Sequence, residues 1–268
     1  GNIGTKSLKI LSKYFPLIEI NLITANNNYK KLIKQCEVYK PKNVFIFDNF
    51  KIDLLKKNIK SKLIKIIKYS EINDFLKLNQ TNISILAISG YNALRYLPNI
   101  LSNTEHLGVV NKECIVSGGH LFKKLNKKNK IFPLDSEHYS IGNILNKNNR
   151  KNYKKIYLTA SGGPFLNKNF KNPTFKQVIN HPKWKMGYKN SIDSATMANK
   201  CLEIIEAHYL FNIPFEKLDI IIHPEALVHS IIEYKNYDSI MNFFYHDMFI
   251  PIYNFLTFSS LSQYNLAP

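Results

Sequence analysis

Acid is what this chain has little of: 19 Asp and Glu stand against 37 Lys and Arg in 268 residues, a formal net charge of +18. Cysteine is sparser still. Cys36, Cys114 and Cys201 are odd in number, far apart and in no metal-type spacing, which argues against a disulfide framework or a thiolate zinc site; they read as reduced, mostly buried thiols. No apolar run approaches the roughly 20 residues that a membrane-spanning helix needs, so no membrane partner is expected. No signal peptide is visible, but the chain opens on Gly1-Asn2-Ile3-Gly4, inside what reads as a motif, so a targeting segment would not be legible here. The lysines are scattered among asparagines, as in Lys147-Asn148-Asn149-Arg150-Lys151-Asn152, with no zinc-finger or RNP-type motif beside them. Nucleic acid is therefore not an expected partner; a basic field that draws in anionic ligands such as phosphates is.

What is present suffices to build a core. Hydrophobic residues make up 45% of the chain, and its length suits one large domain or two moderate ones. In the first half, Leu8, Leu11 and Phe15 fall at helical spacing and Leu17–Thr24 reads as a strand. Tyr29–Tyr39 reads as a helix ended by Pro41, Val44–Asp48 and Ile83–Ile88 as buried strands, and Ala93–Leu101 as an apolar helix. His106–Val110, Glu113–Leu125 and Ile131–Leu134 repeat the alternation, which predicts an α/β fold with a parallel sheet and helices on both faces. Beyond it, polar Asn143–Lys155 predicts a surface loop and Ser194–Phe211 one long helix. Leu218–His223 and Ser230–Tyr234 predict two strands.

Several stretches carry chemistry. Gly1-x-x-Gly4 before a helix fits either the tail of a dinucleotide-binding turn or an ordinary turn. Asp135 and Glu137, two apart just past a strand, converge if the segment is extended, and converging carboxylates repel unless a cation such as magnesium or manganese lies between them. On the following helix Ala198, Leu202, Ile205 and Tyr209 form an apolar stripe, while Asn199, Glu203 and Glu206 gather within about 60 degrees on another face, from the helix period. Asn199, Lys200 and Glu203 suit one phosphate and one metal side by side, or a plain solvated face. Ser194 is a helix cap or a hydroxyl donor to that phosphate. Thr159–Phe165 ("TASGGPF") offers Ser161 and a backbone able to close on a ligand, or a tight turn. His181–Gly187 ("HPKWKMG") holds the single tryptophan, Trp184, and suits a mobile lid or a packed surface loop. His223 and His229 lack a third histidine at zinc spacing, so hydrogen bonding near a site is expected of them rather than metal ligation.

Taken jointly, "NKECIVSGG", "PLDSEH", "TASGGPF", "HPKWKMGYKNSIDSATMANKCLEIIEAHYLF" and "IIIHPEALVHS" resemble, in order and spacing, the 1-deoxy-D-xylulose 5-phosphate reductoisomerases. The resemblance covers nearly the whole chain. It implies a Rossmann-like NADPH-binding domain at 1–133 and an α/β catalytic domain at 134–268. It also implies Mg2+ or Mn2+, a phosphorylated sugar substrate and a homodimer. The implied activity is rearrangement and reduction of 1-deoxy-D-xylulose 5-phosphate to 2-C-methyl-D-erythritol 4-phosphate. The metal would lie on Asp135, Glu137 and Glu203, with Lys112 and His181 also catalytic. Substrate would meet Ser136, Ser161, His181, Trp184, Ser194, Asn199, Lys200 and His229, and cofactor Gly1, Asn2, Ile3, Asn28, Asn111, Glu113 and Gly187.

Departures from the family pattern sit mainly at the cofactor end. The first strand, the opening glycines of the turn and a C-terminal helical domain are expected to be missing from this piece. Asn27 stands where many members carry a lysine for the NADPH 2′-phosphate, Tyr188 replaces a common basic residue, Gly142 replaces a bulky one, and Leu256–Ser260 lacks the usual tryptophan. An inactive relic of the same fold and a basic nucleic-acid-binding protein are the competing readings. Lysine- and asparagine-rich coding is common in AT-rich parasite genomes, where such enzymes act in a plastid; otherwise a cytoplasmic location is expected.

Overall fold

Helix α1 (Asn2–Tyr14) starts directly after Gly1 and buries Ser7, Leu8 and Ile10. The computed structural model describes residues 1–125, 131–147, 152–167, 171–184 and 187–261. After α1 come β1 (Leu22–Ala25), α2 (Tyr29–Tyr39), β2 (Asn43–Ile46), α3 (Ile52–Asn58) and β3 (Lys65–Ile66). The Asn28 side chain caps α2 by accepting from the Lys31 N–H, and Lys40, left-handed, ends the helix before Pro41. Strands β1, β2 and β3 pair in parallel in that order. Then follow α4 (Ile72–Leu78), β4 (Thr81–Leu86), α5 (Leu97–Ser102), β5 (Thr104–Val109), α6 (Lys112–Leu125) and β6 (Ile131–Pro133). Strands β4, β5 and β6 form a second parallel sheet.

The predicted α/β alternation is thus present, but as two three-stranded sheets. Their edge strands β1 and β4 both line one cleft of about 1480 Å³. A cluster of Phe45, Ile67, Ile72 and Tyr96 joins the two halves, with Phe47 edge-on to Tyr96 at 5.5 Å.

The second half comprises α7 (Ser136–Lys147), β7 (Tyr153–Ala160), α8 (Phe175–Ile179), α9 (Tyr188–Ala195), α10 (Ala198–Phe211), β8 (Leu218–Ile222), β9 (Val228–Tyr234), β10 (Ser239–Phe243) and α11 (Phe249–Leu261). Its mixed sheet runs β10-β9-β7-β8, parallel only between β7 and β8. Helices α7 and α10 cover it around Ile141, Ile144, Ile156, Leu158, Ala207 and Ile232. Helix α11 crosses back to the first half, where Ile252, Phe255 and Leu256 pack with Ile10, Leu134, Ile83 and Ile85.

Three expectations need correcting. Asn143–Lys147 continues α7 and Tyr153–Lys155 opens β7, because Ile144 and Leu145 supply apolar anchors inside a polar stretch; residues 148–151 lie outside the described set. The strand expected at Leu17–Thr24 is only Leu22–Ala25. Ser194–Phe211 is two helices: Met197, at φ 61°, is left-handed and breaks them. The cysteines are mostly buried as expected: Cys36 and Cys114 are buried and Cys201 is exposed.

Candidate active site

Lys112 follows β5, Asp135 follows β6 and Ser161 follows β7, so the chain brings three functional side chains to strand C-termini. They meet in a cavity of about 430 Å³. Asp135 is not part of an extended segment with Glu137. It stands one residue ahead of α7, where its Oδ1 accepts the Glu137 N–H at 3.3 Å and its carbonyl accepts the Tyr139 N–H at 2.8 Å. Helix capping, not strand alternation, therefore makes the two acids converge.

Helix α10 delivers the third acid, and its burial inverts the sequence expectation. Lys200, Glu203 and Glu206 face inward, while Ala198 is exposed and Leu202 and Ile205 are half-buried. Close packing of α6 on α10 sets the approach. A Cβ on Gly119 would lie 2.1 Å from the Tyr209 ring, so only glycine lets the two helices come this near. Lys112, at the start of α6, then reaches across: its Nζ lies 2.8 Å from Asn199 Oδ1, 3.1 Å from Glu203 Oε1 and 3.5 Å from Asp135 Oδ2.

Carboxylate oxygens of Asp135, Glu137 and Glu203 all fall within 4.8 Å of one another. Oxygen donors at that spacing suit a hard divalent cation. Two ammoniums share the space: Lys200 Nζ lies 2.9 Å from Glu137 Oε1 and also donates to Glu203 Oε2. Burial works against the charge of Asp135, but Lys112 and His138 outweigh it and hold the carboxyl well below its usual range. Glu137 goes the other way: burial pushes it up to about 7 against the pull of Lys200. Burial likewise lifts Glu206 to about 8 against His138 and Lys112, and His138 rises to about 9 because Glu206 and Asp135 overcome its burial.

Glu137, Glu206 and His138 act in one direction on stability, and Asp135, held low, acts in the other only at acid pH. A carboxyl whose folded value exceeds its unfolded one binds more protons when folded, so Glu137 contributes less as pH rises from about 4.5 to about 7, and Glu206 to about 8. His138, raised from 6.5, contributes fully below 6.5 and loses that contribution through about 9. Cation-free protein is therefore expected to melt at a falling temperature between pH 6 and 9, a tenfold difference in proton affinity between folded and unfolded chain being worth about 1.4 kcal/mol. Calorimetry across that range, with and without Mn2+, checks it; a flat or rising profile without the ion contradicts it.

Ser136 and Ser161 line the same cavity, with His181, Trp184, Ser194 and His229. Ser136 Oγ donates to Glu137 Oε2 at 2.5 Å. His181 Nδ1 accepts the N–H groups of Lys183 and Trp184 at 3.2 and 2.9 Å, which leaves Nε2–H to donate to Ser161 Oγ at 3.1 Å. Burial pushes this imidazole down to about 4, so it is neutral and holds the tryptophan turn to the serine loop. Trp184 packs edge-on against His229 and His246, at 6.3 and 5.8 Å. His229 stacks on Phe244 at 3.9 Å and its Nε2–H donates to the Phe244 carbonyl. Lys185 and Met186 of the expected lid lie outside the described residues. His223 lies apart from this cavity, 3.3 Å from Glu225.

Gly163, at φ 70°, closes the serine loop on α9: a Cβ there would meet the Ser194 carbonyl at 2.7 Å. Gly163→Ala is expected to part Ser161 from Ser194 and raise the substrate KM at least about tenfold, because displacement on the ångström scale costs that much. Steady-state kinetics check it.

The same cavity is also lined by Gly1, Asn2, Ile3, Asn111, Glu113 and Gly187. The Asn111 side chain is spent on structure: Nδ2 donates to the carbonyls of Ile88 and Gly90, and Oδ1 accepts the Cys114 N–H at 2.7 Å. Glu113 pairs with Lys189 at 3.1 Å, linking α6 to α9. Asn28 lies outside this cavity, capping α2, but it lines the cleft between β1 and β4 together with Gly1 and Asn2, two of the residues expected to meet the cofactor. His138 and Glu206, both buried against the acids, were given no site role from the sequence, although Glu206 was placed on the Glu203 face of its helix. Their i,i+3 offsets from Asp135 and Glu203 were the available signal.

Parallel strands that deliver acids and lysines to one cavity define an α/β enzyme with its site at strand C-termini. Comparison with known proteins narrows the class. A family model for 1-deoxy-D-xylulose 5-phosphate reductoisomerase matches residues 1–119, and one for the C-terminal domain of that enzyme matches residues 131–211. The 1-deoxy-D-xylulose 5-phosphate reductoisomerase of Pelagibacter ubique (strain HTCC1062) is 40% identical over 269 residues, covering 97% of this chain and 69% of that protein. That of Persephonella marina (strain DSM 14350 / EX-H1) is 41% identical over 257 residues, covering 94% and 65%. A crystal structure of DOX-P reductoisomerase with NADPH, fosmidomycin and magnesium superposes with a TM-score of 0.86 at 30% identity, covering 96% of this chain and 67% of that one. The enzyme from Zymomonas mobilis with NADPH gives 0.85 at 30% identity, covering 96% and 68%. This chain belongs to the 1-deoxy-D-xylulose 5-phosphate reductoisomerase family, and spans about two thirds of the length of these relatives.

Proposed function

We propose that the protein converts 1-deoxy-D-xylulose 5-phosphate to 2-C-methyl-D-erythritol 4-phosphate, a step of non-mevalonate isoprenoid synthesis, using NADPH and Mg2+ or Mn2+. The observation that carries this reading is the cage of Asp135, Glu137 and Glu203 beside Ser161, Ser194, Asn199 and Lys200 in one cavity. The donor set fits a divalent ion: all oxygen, closely spaced, and here balanced by two buried ammoniums. Gly1, Asn2 and Ile3, at the start of α1 and on the same cavity, fit the phosphate end of a dinucleotide.

When bound, the ion on Asp135, Glu137 and Glu203 supplies Lewis acidity for the carbon-skeleton rearrangement and NADPH supplies hydride. The chain's own residues do the rest. Ser161, Ser194, Asn199 and Lys200 bind the substrate phosphate and fix its distance from the acids. Ser136 meets the substrate hydroxyls, and His181 orients the serine loop through Ser161. Trp184 covers the cavity and excludes water. Lys112 Nζ, against Asp135 and Glu203 on the same cavity, donates to oxygens on the reacting carbons and stabilises negative charge there.

The inactive-relic reading is less well supported, because the three acids and the phosphate-facing residues stand together unaltered. A homodimer belongs to the proposal, supported by exposed Ile240, Met241 and Phe243 on edge strand β10. Plastid residence is proposed if the source genome is AT-rich, on the lysine and asparagine content alone. The test of activity is NADPH oxidation by the full-length protein with 1-deoxy-D-xylulose 5-phosphate and Mn2+. Turnover that requires the ion and yields the branched polyol phosphate is expected; ion-independent turnover or none overturns the reading.

A further inference from the structure

Behind the acid cage lies a buried pair with no place in the reaction described above. His138, on the first turn of α7, is fully buried and lies parallel to Phe211 at 6.4 Å. Its two ring nitrogens face acceptors on different elements: Nε2 meets the Glu203 carbonyl at 2.9 Å and Nδ1 meets Asp135 Oδ1 at 3.2 Å. One imidazole thus ties the α7 acid to the α10 acid. Asp135 Oδ1 also takes the Glu137 N–H, so Oδ2 is the oxygen turned toward Lys112 and the cavity.

Glu206 stands one turn along α10 from Glu203 and is 1% exposed. Its Oε2 is buried without a hydrogen-bond partner and lies 3.9 Å from His138 Nδ1. A buried carboxyl oxygen left unpaired is costly, and here the cost sits beside a ring that anchors two metal-type ligands. We propose that Glu206 is a positioning residue for the cation cage, fixing the His138 ring so that Asp135 keeps Oδ1 anchored and Oδ2 free. Without that acid, the ring pivots about its bond to the Glu203 carbonyl and Asp135 loses its fixed orientation. Outer partners of metal ligands act in this way, and their loss typically weakens metal binding 10- to 100-fold.

The proposal rests on the cage reading above, so its test separates the two. Mn2+ binding to cation-free full-length protein is measured by electron paramagnetic resonance for wild type, E206Q, H138Q and the double variant. Glu206→Gln is expected to raise the Mn2+ Kd about tenfold or more. NADPH affinity stays unchanged, and kcat recovers at saturating Mn2+. If Glu206 works through His138, the double variant binds no more weakly than H138Q alone. Wild-type Mn2+ affinity in E206Q, or additive losses in the double variant, overturns the positioning role while leaving the cage intact. Failure of the wild type to bind Mn2+ overturns the cage and the proposal together.

Discussion

Glu203→Gln lowers kcat/KM by about three orders of magnitude at saturating Mn2+, about 4 kcal/mol of transition-state stabilisation. Glu203 is 2% exposed and is the one acid that both Lys112 and Lys200 touch, so it is the hub of the cage. Glutamine keeps its volume but removes the charge that would meet the ion. The fold should survive, because Lys112 keeps Asp135 and Lys200 keeps Glu137. Affinity for NADPH should also survive, since the Glu203 carboxylate is engaged by Lys112, Asn199 and Lys200 and by none of Gly1, Asn2 and Ile3. A loss under tenfold, or a matching loss of NADPH binding, contradicts the assignment.

The second large effect is on stability. Lys200 is buried, and Glu137 and Glu203 hold its ammonium charged against that burial. Lys200→Met leaves Glu203 to Lys112 and Asn199 and Glu137 to the Ser136 hydroxyl, and removing one partner of a buried pair costs about 3–5 kcal/mol. The expected result is a clear drop in melting temperature for cation-free protein, largely reversed by Mn2+, because the ion replaces the lost charge. Turnover stays poor in the rescued variant, since the phosphate has lost its ammonium. Lys200→Met melting like wild type without the ion would mean that the acids are not crowded as described.

The α/β alternation of the first half was legible because its strands are short apolar runs between helices of normal period. The site was legible through residue types at family spacing, but two physical arguments for it were wrong in detail. Asp135 and Glu137 converge through a helix cap, which reads in sequence much like the end of a strand. On α10, hydrophobic periodicity pointed the apolar stripe inward, while the fold buries the charged face because that face is the site. The break at Met197 left no sequence signal, since a left-handed methionine is set by tertiary packing rather than by local preference. Asn28 both caps α2 and lines the cleft it shares with Gly1 and Asn2, a pairing that residue type alone does not reveal.

The most direct measurement is anomalous diffraction from crystals of the full-length protein soaked in Mn2+. Three acids that close on one ion predict a single strong peak in contact with Asp135, Glu137 and Glu203, beside Ser161 and Lys200. Density for manganese elsewhere, with those carboxylates still held by Lys112 and Lys200 alone, would contradict the account.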